Sequence, residues 1–501
     1  MAPRRQARRG APLSLRIAPL KSKKSTDQEL LRILCSIAPL ALVFAPQLAH
    51  AQEAPAKDKQ ETQQPQEKQD RPPADTASPP EDARGLEEPS TDPSDVGLFV
   101  PRVVLLPVKI VTQAIFFPLR HGLRFAQRHA LMERALDIFY NDERTAAVLP
   151  SFQFISAYGP TVGVRAVHEN MAGHGEKGEI SVQAGGLFNQ AYEGSLTADR
   201  VGGSRLYLSS LVRYDARPRL LFEGIGDDIP EINGGQLLDP RVASASTRFN
   251  QDRLLLTEAA GYTIGQPGNL VKIGGAAIYN YRTFGPNTTE DRSIETVYDT
   301  SKLVGFRNGA TTLELDATLT VDTRDSEATP SSGVYVDAFA GGVPPINAYR
   351  YAHYGVEMSG YIDLYRKTRV LILRGGIEAV EGDYNEIPFS SLPRLGGPTR
   401  LRGYRLDRFR DEKSALATIE YQYPIHEIVG GALFLDAGRV ASNYDKLVDI
   451  PAWRIGGGAG IRVRSKEHSL FSLDFAFGND GLLVFFTTTP LRAFSNRERQ
   501  L

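Results

Sequence analysis

The chain has 501 residues, room for two or three soluble domains, yet it combines 46 glycines and a modest 41% apolar content with a single cysteine. One cysteine excludes a disulfide framework. A formal net charge of −1, with no basic stripe in the second half of the chain, sets nucleic acid aside as a partner, because binding a phosphate backbone demands a concentrated basic face.

In chain order, residues 1–51 read as a signal peptide. A basic start (Arg4, Arg5, Arg8, Arg9, Arg16, Lys21, Lys23, Lys24) precedes a short apolar run from Ile33 to Phe44 and the small-x-small end Ala49, His50, Ala51. The apolar run is too short to span a bilayer. An initiator near Lys21 would account for the unusual length of the basic stretch. Cys35 falls inside this leader and lacks the small preceding residue of a lipidated cysteine, so the mature chain is expected to have no thiol. The leader holds nine basic and two acidic residues, a surplus of seven, so its removal takes the net charge from −1 to about −8.

Residues 52–95 are rich in Gln, Glu, Pro and Asp, with Pro72, Pro73, Pro79 and Pro80 among them. Such a stretch buries too little apolar surface to offset its ordering entropy and is expected to be a disordered periplasmic linker. Residues 96–147 are different. Pro101, Pro107 and Pro118 break the first half; the second mixes Leu123, Ala126, Ala130, Leu131, Leu136 and Ile138 with Arg120, Arg124, Arg128 and Arg134. This short amphipathic helical segment fits three placements equally: on the inner leaflet, in the lumen as a plug, or on the periplasmic rim.

From residue 148 to 490 short alternating segments follow one another. Leu313, Leu315, Ala317, Leu319 and Val321 share one face and Glu314, Asp316, Thr318, Thr320 and Asp322 the other, a register no helix keeps. Phe471, Leu473, Phe475 and Phe477 alternate with Ser472, Asp474 and Ala476, and Tyr354, Val356, Met358, Gly360, Ile362 and Leu364 with Glu357, Ser359 and Asp363. A soluble sandwich would also alternate, but the leader favours a membrane barrel with apolar faces in lipid and charged faces inward. At roughly 20 residues per strand and turn, the stretch holds about sixteen or seventeen strands. Residues 491–501 form a C-terminal tail.

The most specific stretch carries Leu401, Arg402, Gly403 and Tyr404 on a glycine-rich loop, then a strand in which Ser414, Thr418, Glu420 and Gln422 alternate with Ala415, Ala417, Ile419, Tyr421 and Tyr423, then Phe434, Leu435, Asp436, Ala437 and Gly438. It resembles the bacterial surface antigen barrel superfamily, the outer-membrane family that includes the BamA insertase, its Tam relatives and the two-partner secretion transporters. Two further elements are similar: Asp322, Thr323, Arg324, Asp325 followed by Ser332 and Gly333, and, more loosely, Phe222, Gly224, Ile225, Gly226 and Asp227. The resemblance implies an all-β fold, a transmembrane antiparallel β-barrel of sixteen strands preceded by a short helical segment, in the bacterial outer membrane. It implies that Arg402, Gly403 and Tyr404 sit at the tip of an extracellular loop folded into the lumen, with Glu420 and Asp436 on the wall as the acids that Arg402 pairs with. It implies a weak seam between first and last strands, here the strand near Phe152 to Val167 and the one near Gly481 to Thr488. Phe152, Phe154, Phe485 and Phe486 mark the seam, which Gly478 and Gly481 would weaken. Members carry folded periplasmic repeats before the barrel; residues 52–95 have no room for one, so this chain is expected to lack them.

No catalytic constellation assembles. The eight histidines show no metal-ligand pairing, there is no Gly-x-Ser-x-Gly elbow, and the run Gly456, Gly457, Gly458 and Gly460 lacks the lysine and hydroxyl of a phosphate loop. The expectation is no enzyme activity, no cofactor and no metal. The resemblance implies a monomeric barrel whose partners are outer-membrane lipid, polypeptide or lipid-linked clients and a periplasmic protein, the clients being inserted or translocated through the seam. The contrasting expectation is a passive pore or structural surface antigen that handles no client.

Overall fold

The computed structural model describes residues 138–488, apart from 228–229, 231–236, 288, 290, 328, 345–347, 427 and 465–468. The expected signal peptide, the linker, almost all of the helical segment and the C-terminal tail therefore lie outside the described residues.

Sixteen strands close into one antiparallel barrel. They are β1 (Ala146–Ile155), β2 (Gly159–His168), β3 (Lys177–Gly185), β4 (Phe188–Ala198), β5 (Leu206–Phe222), β6 (Thr247–Gln266), β7 (Asn269–Pro286), β8 (Ala310–Asp322), β9 (Gly333–Gly342), β10 (Ala352–Tyr365) and β11 (Arg369–Glu381), then β14 (Lys413–His426), β15 (Val429–Ala441), β16 (Arg454–Arg464), β17 (Ser469–Gly478) and β18 (Gly481–Thr487). A two-residue ribbon, β12 (Arg394–Leu395) with β13 (Phe409–Arg410), stands apart on the loop between β11 and β14. Among the described residues no helix is long and apolar enough to cross a membrane; the strands do the crossing. Closure leaves no row of unpaired amides in hydrocarbon, where each would cost several kcal/mol.

Alternation places the side chains. On β8, Thr312, Glu314 and Asp316 are buried in the lumen while Leu315 and Leu319 are exposed on the outside. On β17, Ser472, Asp474 and Ala476 point in, and Phe475 and Phe477 point out. The outer wall is thus apolar and the lumen carries the charge, the reverse of a soluble sandwich. Long connections at one end (223–246, 287–309, 382–412 and 442–453) and short turns at the other define the extracellular and periplasmic rims. Inside the extracellular end the long connections pack together around Phe222, Phe249, Tyr298, Phe306 and Phe389, rings whose centroids stand 5.0–6.3 Å apart.

The stretch Phe152 to Val167 is two strands rather than one. Ser156, Ala157 and Tyr158 turn the chain between β1 and β2, with φ of 72° at Ala157 and 90° at Gly159. Only β1 meets β18. Among the described residues their ladder has three pairs, Gln153 with Thr487, Phe154 with Phe486 and Ile155 with Phe485, against seven between β17 and β18, the next shortest of the barrel. Hydrogen bonds of the Ser156 amide to the Val484 carbonyl (3.1 Å) and of the Thr488 amide to the Phe152 carbonyl (3.0 Å) extend it slightly at each end.

Candidate functional site

The connection from β11 to β14 enters the lumen because its backbone is bent by residues in the left-handed region. Gly396 and Gly397 have φ of 115° and 96°, and Leu401 and Asp407 adopt φ of 79° and 57°. The Gly396 amide donates to the Arg400 carbonyl (2.6 Å) and the Gly397 amide to the Tyr404 carbonyl (2.9 Å), so the tip is a closed knot. Leu395, Leu401, Tyr404 and Phe409 pack with Leu416 and Val440 of the wall as a small core of their own.

That knot presents Arg402 to the barrel wall. Its backbone amide and Nε both donate to Asp436 Oδ2 at 2.9 Å, Nη2 donates to Oδ1 at 2.9 Å, and Nη1 donates to Glu420 Oε2 at 2.7 Å. The guanidinium lies over the Phe434 ring, 3.4 Å from its centroid. All three charged groups are buried. The forked geometry fits a planar guanidinium and would not fit an ammonium. Beyond it, Arg462 Nη2 stands 3.7 Å from Glu420 Oε2 and its Nη1 2.7 Å from Asp474 Oδ1, so the charge chain runs from the loop across β14, β15, β16 and β17.

Gly403 explains the next position. A Cβ there would lie 2.7 Å from the Gly456 Cα and 2.8 Å from the Phe477 carbonyl oxygen, so only glycine lets the tip lie flat on β16 and β17. The role expected for Gly478 therefore changes. It and Gly481 sit on the β17–β18 hairpin, not on the β1–β18 ladder, and the bare Gly478 Cα makes room for Gly403. The Tyr404 hydroxyl donates to the Ile455 carbonyl at 3.3 Å, and its ring meets Phe409 edge to face.

A second clasp lies one turn further along. The Arg405 amide donates to Asp480 Oδ2 (2.9 Å), its Nη2 to Glu223 Oε1 (2.6 Å), and Arg408 pairs with Glu223 as well. Asp480 belongs to the turn between β17 and β18, and Glu223 to the segment after β5. That same segment brings Asp227 to Arg454 Nε at 2.9 Å and the Gly226 amide to the Arg410 carbonyl at 2.9 Å. Arg400 Nη1 reaches Glu378 of β11 at 2.8 Å. Arg394 Nη1 reaches Asp407 at 2.8 Å; burial opposes ionisation of this carboxyl, yet Arg394 and Arg410 hold its pKa below the ordinary value. Sequence reasoning named Arg402, Glu420 and Asp436 but missed Arg462, Glu223, Arg405, Arg408 and Asp480 as partners. Inward alternation flags Asp474 and Arg462; nothing local flags Glu223 or Asp480.

The seam residues do not form one cluster. Phe485 faces the lumen with Ile155, both buried, whereas Phe486 faces outward, edge-on to Phe152 at 5.4 Å and stacked on Phe471 at 5.4 Å. Phe154 pairs with Phe486 on that outer face.

The turn motif forms a separate structure on the periplasmic rim. Arg324 folds back on Asp322 through Nε and Nη2 (2.8 and 2.7 Å) and covers the Tyr335 ring. Asp325 accepts from the Ser331 amide and hydroxyl and from the Ser332 amide; Gly333 follows with φ of 106°. Partial burial would raise the Asp325 carboxyl, but these donors hold it down at about 2, below the ordinary carboxylate range. A depressed carboxylate stabilises the fold above its unfolded pKa and stops doing so as pH falls through the folded one. Exchange protection of the Ser331 and Ser332 amides is therefore expected to drop between about pH 4 and pH 2. In Asp325→Asn that drop should be missing, and an identical acid profile in the two proteins would contradict the assignment.

A closed, lipid-facing cylinder whose lumen is occupied by an inward-folded extracellular loop, pinned by an arginine to acids on the wall, is a transmembrane β-barrel of the outer-membrane type. The Omp85 superfamily domain matches residues 170–482, more than half of the chain, and the protein belongs to that superfamily and to the bacterial outer membrane. Among solved structures the fold is similar to BamA from Haemophilus ducreyi lacking POTRA domains 1–3, with 14% identity, a TM-score of 0.48, and coverage of 68% of this chain and 69% of that one. It is also similar to CdiB from Acinetobacter baumannii, with 10% identity, a TM-score of 0.43, and coverage of 68% and 58%. For CdiB from Escherichia coli the identity is 11%, the TM-score 0.46, and the coverage 68% and 62%. The chain thus spans less than two thirds of either CdiB.

Proposed function

We propose that this barrel inserts or translocates polypeptide clients through the junction of β1 and β18, with the 382–412 loop as its lumen plug and a periplasmic protein as its partner. The observation that carries this is the three-pair ladder. Strand pairing is what makes a barrel wall impermeable, and a junction with fewer than half the pairs of the next shortest one is where the wall parts at least cost. The occupied lumen argues against a permanently open pore, since Arg400, Arg402, Arg405 and Arg408 tie the loop to acids on several strands. In this proposal Arg402, Glu420 and Asp436 keep the plug seated, and Phe152, Phe154, Phe485 and Phe486 line the parting edges.

Gln153 and Thr487 are direct partners in register, so Gln153→Cys with Thr487→Cys places two thiols at disulfide distance. With Cys35 in the expected leader, no native thiol competes. In liposomes, the oxidised pair is expected to reduce assembly of an unfolded eight-stranded test barrel to the rate of empty liposomes, and reductant to restore it. Equal rates with and without the crosslink, together with a steady large conductance, would replace this proposal with the passive pore.

A further inference from the structure

The carboxylate of Glu258 lies on the lipid-facing side of the barrel. Residues paired in register share a face of the sheet, and Glu258 on β6 is paired with Ser210 on β5 and Ala277 on β7, which in turn pairs with Leu315 on β8. Leu315 is 49% exposed on the outside, and Glu258 itself is exposed. Its depth follows from its neighbours. Four residues along β6 in one direction is Leu254, level with Tyr214 and Tyr281; four in the other is the exposed Tyr262. Tyrosines mark the two interfaces of an outer-membrane barrel, so Glu258 sits midway between them, about 14 Å along the strand from each. On the outward faces of β5 to β8 between those tyrosines, Glu258 is the only charge.

It accepts a hydrogen bond from the Ser210 hydroxyl at 2.5 Å. Beside it the wall is dented: Ala260, Gly275 and Ala277 form the floor of a shallow groove of about 480 Å³, with Leu208 and Leu315 as its banks. A charge at this depth destabilises a barrel that faces lipid alone, whereas small residues let another backbone approach closely.

We propose that this groove docks a membrane-embedded polypeptide segment that presents a lysine or arginine to Glu258. Charge complementarity selects this occupant. A second copy of the chain would bring carboxylate against carboxylate, because these outward faces carry no cation between the tyrosines. The groove lies five strands from β1, so the proposal stands independently of the seam.

The test uses the full chain with Cys35→Ser, a donor fluorophore at Val212→Cys, and liposomes of phosphatidylethanolamine and phosphatidylglycerol. The probe is an acceptor-labelled leucine-alanine peptide of about 20 residues carrying one central lysine, compared with its norleucine twin. The lysine peptide is expected to associate about fivefold more tightly than its twin. Glu258→Gln should abolish that difference, and Ala260→Phe, which fills the groove and keeps the carboxylate, should weaken both peptides. Heat-modifiable migration on gels reports that each variant is folded. Equal association of the two peptides with the parent barrel, retention of the lysine preference in Glu258→Gln, unchanged binding in Ala260→Phe, or barrel-to-barrel energy transfer lost in Glu258→Gln would overturn it.

Discussion

Arg402→Ala is expected to cost the barrel about 3 to 5 kcal/mol of stability, the usual penalty for leaving a buried charge without its partner. Asp436 is 1% exposed and Glu420 8%, so neither carboxylate recovers water when the guanidinium goes. Asp436 suffers more. It loses both bonds to the guanidinium and keeps only the residue 402 amide, while Glu420 still has Gln422 at 2.8 Å and Arg462 at 3.7 Å. The variant is expected to melt at lower temperature and to become susceptible to protease between residues 396 and 408. Arg402→Lys should fall between, because one ammonium cannot serve Oδ1, Oδ2 and Glu420 together. Adding Asp436→Asn to Arg402→Ala should recover part of the loss, since it removes the stranded charge. Unfolding of such barrels is followed as a rate, by heat-modifiable migration at fixed temperature. Unchanged rates and an unchanged protease pattern would show that the pair contributes nothing.

Gly403→Val is expected to have an effect of similar size through geometry alone. A Cβ would sit 2.7 Å from the Gly456 Cα and 2.8 Å from the Phe477 oxygen, both backbone atoms of paired strands that cannot rotate away. Overpacking of this kind costs about 1 to 3 kcal/mol by itself. Here the tip must lift, and lifting it draws the adjacent Arg402 off Asp436, so the total should approach that of Arg402→Ala. Combining Gly403→Val with Arg402→Ala should then be clearly less than additive. Gly456→Ala, which meets the Gly403 backbone from the other side, should reproduce a milder form. Full additivity would mean that the contact and the ion pair act separately.

Much of this barrel was legible because a strand's period of two is written in single residues: Leu313 to Asp322 and Phe471 to Phe477 face as their alternation says. The tip was legible through a family resemblance, carried by Arg402, Gly403 and Tyr404 followed at strand spacing by Glu420 and Asp436. Its neighbourhood was not. Arg405 meets Glu223, 182 positions away, and Asp227 meets Arg454, 227 positions away; barrel register decides such pairs, and register is a property of the closed sheet. The hairpin at Ser156–Tyr158 was missed because no glycine or proline lies within those three residues and the apolar alternation runs through them. Gly478 was misjudged for a related reason: an absent side chain can signal a weak ladder or a close approach, and only the position of Gly403 distinguishes them.

The grip of Arg405 and Arg408 on Asp480 has a mechanical corollary. Asp480 is part of the two-residue turn that leads directly into β18, so any outward swing of that last stave drags the knot's anchorage with it. In the mechanism proposed above, gate and stopper would therefore share a bolt, and the work of moving one would include the work of straining the other.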